Sequence, residues 1–203
     1  MGKKIMFGCL GILALLLLVA VFAGLYLKNN YNQMVQREEI VKEKWSQVEN
    51  VYQRRLDLIP NLISTVKGYA AHEKDTFTKI AEARSKAGGS IKMSDKMLSD
   101  PAAFRQFQEA QNSLSGALSK LMVVVEKYPA LKANENFLTL QSQLEGTENR
   151  ITVERKRYNE VARTYNVFIK QFPRTIIARI FGFEEKIYFI ADKGAAQAPK
   201  VEF

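Results

Sequence analysis

Few side chains in this 203-residue sequence could perform chemistry, and their spacing does not favour an active site. The chain has one histidine, His72, and one cysteine, Cys9. A di-iron centre in a helical bundle typically needs two Glu-x-x-His motifs, and Tyr69 stands where the glutamate before His72 would be. A Ser-His-Asp site cannot be assembled convincingly around a single histidine that follows Ala71 and precedes Glu73. The sequence therefore predicts no enzymatic activity, no cofactor, no bound metal and no small-molecule substrate.

Composition indicates a folded chain that is neither disordered nor rich in turns. Hydrophobic residues make up 47% and charged residues 25%, which is ordinary for a folded protein. Eleven glycines and five prolines are too few for a β-sandwich with many turns. A single cysteine excludes an intramolecular disulfide framework and a zinc site built from thiolates.

The formal net charge is +9, so anionic partners have to be considered. Residues 1–30 hold three lysines and no acidic residue, which leaves 27 basic and 21 acidic residues in the remainder. These charges alternate along the chain, as on a solvated helix surface, and we therefore expect no nucleic-acid binding. The excess of basic residues can attract anionic lipid headgroups or an acidic protein face.

The N-terminal region has the properties of a membrane anchor. From Ile5 to Leu27 the sequence runs for 23 residues without a charged side chain, with lysines on both sides. As a helix this stretch is ~34 Å long, enough for a hydrocarbon core of ~30 Å. A cleavable signal peptide with a processing site near residues 21–23 is the alternative, although its apolar region would be shorter. Four basic residues after the span, Lys28, Arg37, Lys42 and Lys44, favour a cytoplasmic domain.

An apolar seam with helical spacing follows the anchor. Its members are Val41, Trp45, Val48, Tyr52, Leu56, Ile59, Ile63, Val66, Ala70, Phe77 and Ile80. Steps of three and four residues are typical of a helix with a coiled-coil-like face. Because the seam keeps its phase across Pro60, we predict one kinked helix; two helices with a break at Pro60 are the alternative. Gly88, Gly89 and Ser90 are predicted to end this element.

Two further long helices and one short helix are predicted. Asp100 followed by Pro101 is typical of a helix start, and that helix should stop near Pro129. A third runs from about Asn134 to Phe172. The predicted fold is all-α: an N-terminal transmembrane helix, an antiparallel bundle of three long helices, or four if the first is split, and a short C-terminal helix. Residues 1–30 are the predicted anchor, 31–191 the bundle and 192–203 a flexible tail.

Several sequence blocks resemble the bacterial LemA family. They are residues 54–62 (RRLDLIPNL), 66–73 (VKGYAAHE), 117–121 (ALSKL), 126–134 (EKYPALKAN), 147–151 (TENRI), 157–159 (RYN), 165–166 (YN) and 172–173 (FP). The resemblance covers about residues 31–190. It implies a single-pass protein of the bacterial cytoplasmic membrane with a helical bundle, no established enzymatic activity and no catalytic residues to transfer.

Arg54, Arg55, Asp57 and Pro60 form the first candidate site. Pro60 lacks an N–H, so the carbonyl of Leu56 loses its usual helical donor, and a guanidinium from a neighbouring helix could replace it. One interpretation is that this cluster stabilises the kink through hydrogen bonds and salt bridges. The other is a polar docking surface.

Ile176, Ile177, Ile180 and Phe181 form the second candidate site, a narrow apolar face of the short C-terminal helix. This helix is too short to be stable alone and must dock somewhere. It could cover the open end of the bundle or bind an anionic membrane surface or a partner. Tyr158-Asn159 and Tyr165-Asn166 repeat after seven residues, which places both tyrosines in the predicted core.

The sequence favours a non-enzymatic, membrane-tethered scaffold. Its expected partners are membrane lipid through the anchor, another membrane or envelope protein, and a second copy of the chain as a homo-oligomer. The alternative is a self-assembling protein that coats or shapes the membrane through basic helix faces.

Overall fold

The computed structural model describes residues 2–91 and 95–190, and these residues form an all-α structure without a β-strand. The helices are α1 (Gly2–Lys67), α2 (Lys74–Ile91), a 3₁₀ helix (Asp95–Ser99), α3 (Pro101–Val125), α4 (Pro129–Lys132), α5 (Glu135–Lys170) and α6 (Arg174–Phe181). The predicted helical bundle with an apolar N-terminal helix is thereby confirmed. The predicted flexible tail, residues 192–203, lies outside the described residues.

Helix α1 is continuous through Pro60 and joins the apolar stretch to the bundle. An 18-residue window near its N-terminus has a mean hydropathy of 2.7 and buries none of its residues against the rest of the chain. The helix is therefore long and apolar enough to cross a membrane there. Burial begins at Asn30 and Met34 and continues along the predicted seam. The seam differs from the prediction at one step, because Leu62 is fully buried while Ile63 is only half-buried.

The break in the first predicted helix lies at Gly68, eight residues after Pro60. The N–H groups of Tyr69 and Ala70 both donate to the Val66 carbonyl, which closes the last turn, and α2 begins at Lys74. Glycine stabilises a helix less than other residues except proline, which explains the position of the break. The bundle consequently has four long helices.

Gly88, Gly89 and Ser90 lie within the last turn of α2, which ends at Ile91, one residue beyond the predicted end. Glycine costs a helix up to ~1 kcal/mol relative to alanine, and this local cost is outweighed by packing. Ala87 and Ser90 are buried on either side of the two glycines, and a Cβ at Gly88 would lie 3.4 Å from a Leu56 methyl group. This distance is an ordinary van der Waals contact, so the space at Gly88 would also accept a small side chain.

The predicted starts of α3 and α5 are confirmed. Asp100 Oδ1 accepts hydrogen bonds from the N–H groups of Ala102 (2.9 Å) and Ala103 (3.3 Å). Asn134 Oδ1 accepts from the N–H of Phe137 at 3.0 Å. Each cap satisfies helix N–H groups that have no partner within the helix. The predicted end near Pro129 is also close, since α3 stops at Val125.

Helix α1 packs mainly against α5, and α2 packs mainly against α3. Two hydrophobic cores result. The near core, on the side of the apolar stretch, contains Met34, Val41, Trp45, Val48, Tyr52, Met97, Leu98, Phe104, Phe107, Ile151, Tyr158, Ala162, Tyr165, Phe168, Ile169, Ile177, Ala178 and Phe189. The far core contains Leu56, Ile59, Leu62, Val66, Ala70, Phe77, Ile80, Ala83, Ala87, Leu114, Leu118, Leu121, Val125, Leu131, Phe137 and Leu144.

Candidate functional site: a buried arginine and the C-terminal helix

The structure separates the first candidate cluster into an interior and an exterior part. Arg55 is 1% exposed, whereas Arg54, Asp57 and Pro60 lie on the surface. Asp57 accepts a hydrogen bond from Gln53 on the outside of α1. The four residues therefore do not form one patch, and the guanidinium of Arg55 does not reach a docking surface.

Arg55 connects three helices between the two cores. Its Nη1 donates to Glu148 Oε1 at 2.7 Å on α5 and to Ser115 Oγ at 2.9 Å on α3. Its Nη2 donates to the side-chain oxygen of Gln111, also on α3. These acceptors and the carboxylate replace the water that the two terminal nitrogens have lost, whereas the buried Nε has no hydrogen-bond partner among the described residues. The side chain of Glu148 is 44% exposed, so the ion pair extends from the interior to the solvent.

Gln111 extends this arrangement to the fourth long helix. Its Nε2 donates to the Ala87 carbonyl at 3.2 Å and to Ser90 Oγ at 3.4 Å, both on α2. We call Arg55, Gln111, Ser115, Glu148 and Ser90 the polar layer. The layer connects all four long helices through hydrogen bonds and one ion pair, and it therefore contributes to holding the bundle together.

The Leu56 carbonyl, which Pro60 leaves without a helical N–H donor, accepts a hydrogen bond from another helix. Arg84 Nε on α2 donates to the Leu56 carbonyl at 3.0 Å. The sequence predicted a guanidinium from a neighbouring helix, and Arg84 provides it. This contact supports the interpretation that the surroundings of Pro60 stabilise the bundle, because a buried carbonyl without a partner would cost free energy.

The C-terminal helix presents its apolar residues on two sides. Ile177 is 4% exposed and Ala178 is 5% exposed, and both belong to the near core. Ile176, Ile180 and Phe181 are 51%, 69% and 52% exposed. The helix ends at Gly182, whose φ of 77° lies in the left-handed region that favours glycine. One side of α6 thus covers the bundle. The other side stays more than half exposed, although the Phe181 ring contacts the Tyr31 ring.

The segment after α6 returns along α5 in an extended conformation and is held by two asparagines. In this return segment (residues 183–190), the N–H and the carbonyl of Lys186 both bond to the side chain of Asn166, at 2.8 and 2.7 Å. The N–H and the carbonyl of Phe189 bond in the same way to Asn159, at 2.9 and 3.0 Å. A side-chain amide offers one donor and one acceptor edge, which match one residue of extended backbone.

Buried charges and rings complete the attachment of the return segment. Lys186 is 7% exposed and pairs with Glu38 of α1 at 2.7 Å. The Phe189 ring lies 5.9 Å from the Trp45 ring and 5.0 Å from the Phe104 ring, centroid to centroid. Tyr158 donates its hydroxyl to the Ile187 carbonyl at 3.0 Å. The predicted core position of the seven-residue Tyr-Asn repeat is therefore correct, and the two asparagines have a role that the sequence did not suggest.

The pKa values of two tyrosines reflect how deeply these side chains are packed in the near core. Burial raises the pKa of Tyr158 and Tyr165 well above the ordinary value near 10.0, and the carboxylate of Glu38 adds to the rise at Tyr165. Both rings are fully buried in the near core. Within residues 2–91 and 95–190, no group of three or more His, Cys, Asp or Glu side chains could hold a metal ion.

Comparison with known proteins places the chain in a family. The LemA family model matches residues 44–203. This chain belongs to the LemA family. A relative, Magnetosome protein MamQ 1 of Paramagnetospirillum magneticum, is 30% identical in an alignment of 203 positions that covers 93% of this chain and 74% of the relative. Magnetosome protein MamQ of Magnetospirillum gryphiswaldense is 30% identical in an alignment of 202 positions that covers 92% of this chain and 73% of the relative.

A further relative carries the family name itself. Protein LemA of Metamycoplasma hominis is 24% identical over 168 residues, which cover 83% of this chain and 72% of that protein. Together with the apolar start of α1, LemA-family membership fits a single-pass membrane-associated helical protein. The blocks that resemble the family hold structural positions here: Arg55 in the polar layer, Asn134 at a helix cap, and Asn159 and Asn166 on the return segment.

Sequence reasoning missed three residues of this arrangement. Gln111 lies on the apolar stripe of α3 between Phe107 and Leu114. A polar residue at a position that the helical spacing predicts to be buried could have indicated a polar contact inside the bundle. Glu148 falls on the stripe of α5 in the same way. Asn30 directly follows the predicted anchor, and only the contact with Arg174, 144 residues away, shows its role.

Proposed function

We propose that this LemA-family chain is a non-enzymatic, membrane-tethered helical scaffold of the bacterial cell envelope. It binds another membrane or envelope protein, or a second copy of itself. The continuity of α1 from Gly2 to Lys67 carries the proposal. Because one unbroken helix supplies both the apolar stretch and the longest wall of the bundle, tether and bundle move together. Such a stalk presents its surface at a fixed height above the bilayer, which is what a scaffold requires.

The groove between α3 and α5 is the proposed docking face. Its floor includes Leu118 and Leu144, which are 8% and 6% exposed, and its rim includes Ser119, Gln141 and Asn149. An apolar floor with a polar rim suits an amphipathic helix laid along the groove. The shape supports a peptide or helix as the partner more than a small molecule, since the groove is open along its length.

A membrane coat is the second candidate, and a separate groove favours it. Lys79, Lys86 and Lys120 line the surface between α2 and α3, together with Glu82. Basic side chains on one face attract anionic lipid within a Debye length of ~8 Å at physiological salt. If this face binds a second membrane, the chain would link or shape bilayers.

Photo-crosslinking in cells separates these functions. We would place a crosslinking residue at Gln141 in the α3–α5 groove and, in a second variant, at Lys79 in the α2–α3 groove. A scaffold should give an adduct with one defined polypeptide from position 141 and none from position 79. Asn149→Arg, on the exposed rim, should weaken that adduct while leaving the circular dichroism spectrum unchanged. Equal adducts from both positions, or none from either, would contradict the scaffold.

Vesicle clustering tests the coat. The full chain is reconstituted in neutral vesicles through its N-terminal helix, and anionic vesicles are then added over a salt series. A coat predicts clustering that weakens as salt rises, and substitution of Lys79, Lys86 and Lys120 by glutamine should abolish it. A scaffold predicts no clustering at any salt concentration.

We also propose that the bundle faces the cytoplasm from the bacterial cytoplasmic membrane, because four basic residues follow the apolar stretch within about twenty residues, the range over which such charges bias orientation. Protease digestion of sealed spheroplasts checks this orientation. A cytoplasmic bundle should survive until the membrane is opened, and digestion of intact spheroplasts would reverse the assignment.

A further inference from the structure

The turn between α5 and α6 and the outer side of α6 form an apolar surface that the bundle leaves uncovered. Phe172 at the turn is 81% exposed, and Ile176, Ile180 and Phe181 are each more than half exposed. We call these four residues the apolar patch. Burying four large apolar side chains in water-free surroundings is favourable by the hydrophobic effect, so their exposure marks a surface with a partner.

Contacts with α1 fix the patch at the end of the predicted span. Arg174 Nε donates to Asn30 Oδ1 at 2.9 Å, three residues beyond Leu27. The Tyr31 ring lies 5.0 Å from the Phe181 ring, centroid to centroid. Pro173 and Ile176 line one groove together with apolar residues of the span, among them Val19, Phe22, Ala23, Leu25 and Leu27. The patch is therefore continuous with the lipid-facing surface of α1.

The charges around the patch suit the boundary between acyl chains and lipid headgroups. Lys28 and Arg179 are exposed, one at the end of the span and the other within α6. Nearby, Lys170 already pairs with Glu185 at 2.6 Å. A short helix with apolar side chains on one side and arginines beside them is the arrangement that lies in a membrane interface. Cations at this level meet phosphate groups of anionic lipids.

We propose that α6, with Phe172, is a second membrane contact, which inserts the apolar patch into the interface of the leaflet from which α1 emerges. The lipid it prefers is anionic. This inference rests on the membrane tether of the proposed function and is independent of scaffolding. Lipid is the occupant because the patch continues the surface of the span, and a second copy of the chain would have to reach the patch through that same lipid.

Depth measurement in a bilayer tests the contact. Using the full chain with Cys9→Ser, we would introduce Ile180→Cys and, as control, Val123→Cys, whose side chain is 66% exposed on α3. Each cysteine carries the fluorophore NBD, and the chain is reconstituted in vesicles with and without phosphatidylglycerol. We expect quenchers attached to the acyl chains to quench the label at 180 several-fold more than the label at 123. Phosphatidylglycerol should increase this difference, and aqueous iodide should show the opposite order.

Three outcomes would overturn the proposal. Equal iodide quenching at both positions would place the patch in water. Shielding of position 180 from both quenchers, increasing with the protein-to-lipid ratio, would assign the patch to a contact between copies. Failure of the chain to remain in the vesicles would remove the tether itself and with it the proposed function.

A pair of substitutions separates docking from folding. Ile180→Asp changes an exposed side chain and should leave the thermal midpoint of the detergent-solubilised chain unchanged while abolishing acyl-chain quenching of a label at Phe172→Cys. Ile177→Asp changes a buried side chain and should lower the midpoint. If Ile180→Asp lowers the midpoint as much as Ile177→Asp, α6 serves only to cover the bundle, and the membrane contact is wrong.

Discussion

The two cores of the bundle are built from different side chains and closed in different ways. The near core is aromatic, with Trp45, Phe104, Phe107, Tyr158 and Phe189 in mutual ring contact. The far core is largely aliphatic and is enclosed by helices and by Ala70 of the turn between α1 and α2. The near core additionally needs the return segment, whose backbone is bonded to asparagine side chains. The half beside the apolar stretch is thus closed by a segment that hydrogen bonds attach to α5. The half away from it is closed mainly by packed helices, with isolated hydrogen bonds such as those from Arg84 to Leu56 and from Asn134 to Tyr69.

Removing Arg55 should have the largest effect, because it breaks the polar layer between the cores. We expect Arg55→Ala to lower the free energy of unfolding by ~3–5 kcal/mol, since Gln111 and Ser115 lose their charged donor and a cavity remains. Arg55→Met fills the space and should cost less. Urea denaturation in detergent measures both. Equal losses for the two variants would show that the hydrogen bonds, and not the filled volume, dominate.

Phe189→Ala should follow, with a loss of ~3–4 kcal/mol that is confined to the near half. The ring contacts four other aromatic rings of the near core. Hydrogen exchange should show reduced protection at Lys186 and Ile187 while the amides of α2 keep theirs. As a matched change in the far core, Leu121→Ala should reduce protection in α2 and α3 and spare the return segment. Loss throughout the molecule for both variants would mean that the cores form one unit.

Asn166→Ala should cost ~2 kcal/mol, because it leaves the N–H and the carbonyl of Lys186 without their partners in a buried place. Trypsin should then cleave after Lys186, which is 7% exposed in the intact protein. Asn159→Ala should lower the stability by a similar amount, because it leaves the N–H and the carbonyl of Phe189 without their partners. Exposed Asn149→Ala is the control and should change neither stability nor cleavage.

The smallest effects are expected at the two buried tyrosine hydroxyls. Tyr158 donates to the Ile187 carbonyl, so Tyr158→Phe should cost ~1 kcal/mol. The hydroxyl of Tyr165 is buried and has no hydrogen-bond partner among the described residues, so Tyr165→Phe should be neutral or slightly stabilising. Chemical denaturation at neutral pH measures the difference, and a greater loss for Tyr165→Phe would contradict it.

The same tyrosines make the near core sensitive to alkali. Their folded-state pKa values are raised above the unfolded value near 10, so the folded state holds its protons more tightly. Stability is therefore fully present below pH ~10 and falls as the pH rises through the folded-state pKa values. The double variant Tyr158→Phe/Tyr165→Phe should lose less stability between pH ~9 and ~11 than the parent chain.

The comparison also shows which features a sequence can predict. The caps Asp100 and Asn134 were predictable because a cap depends on residues within one helical turn. The break at Gly68 was not, because Ala70 remains buried and Phe77 resumes the same phase, so the apolar pattern runs across the turn. A guanidinium donor for the Leu56 carbonyl followed from proline chemistry, but its identity, Arg84, depends on how α2 folds back.

The return segment shows the limit of pattern reading most clearly. Its apolar run from Ile187 to Ile190 is too short to indicate a structure. Its hydrogen-bond partners include the side chains of Asn159 and Asn166 and the carbonyl of Leu98. Asparagine in a helix usually indicates an exposed face or a helix end. The neighbouring residues therefore do not indicate that these two side chains bind the backbone of another segment. In the candidate sites, the same difficulty applies to Arg55, whose acceptors lie 60 and 93 residues away.

Because α1 is unbroken, a change in the tilt of its membrane end moves its far end as well. From Leu27 to Lys67 the helix extends ~60 Å at its usual rise, so a change of ten degrees in its inclination moves the far end sideways by ~10 Å. Inclination of a membrane helix follows the thickness of the bilayer around it. We therefore expect the lateral position of the far core to follow the thickness of the bilayer around the first 27 residues, while its height above the membrane changes little.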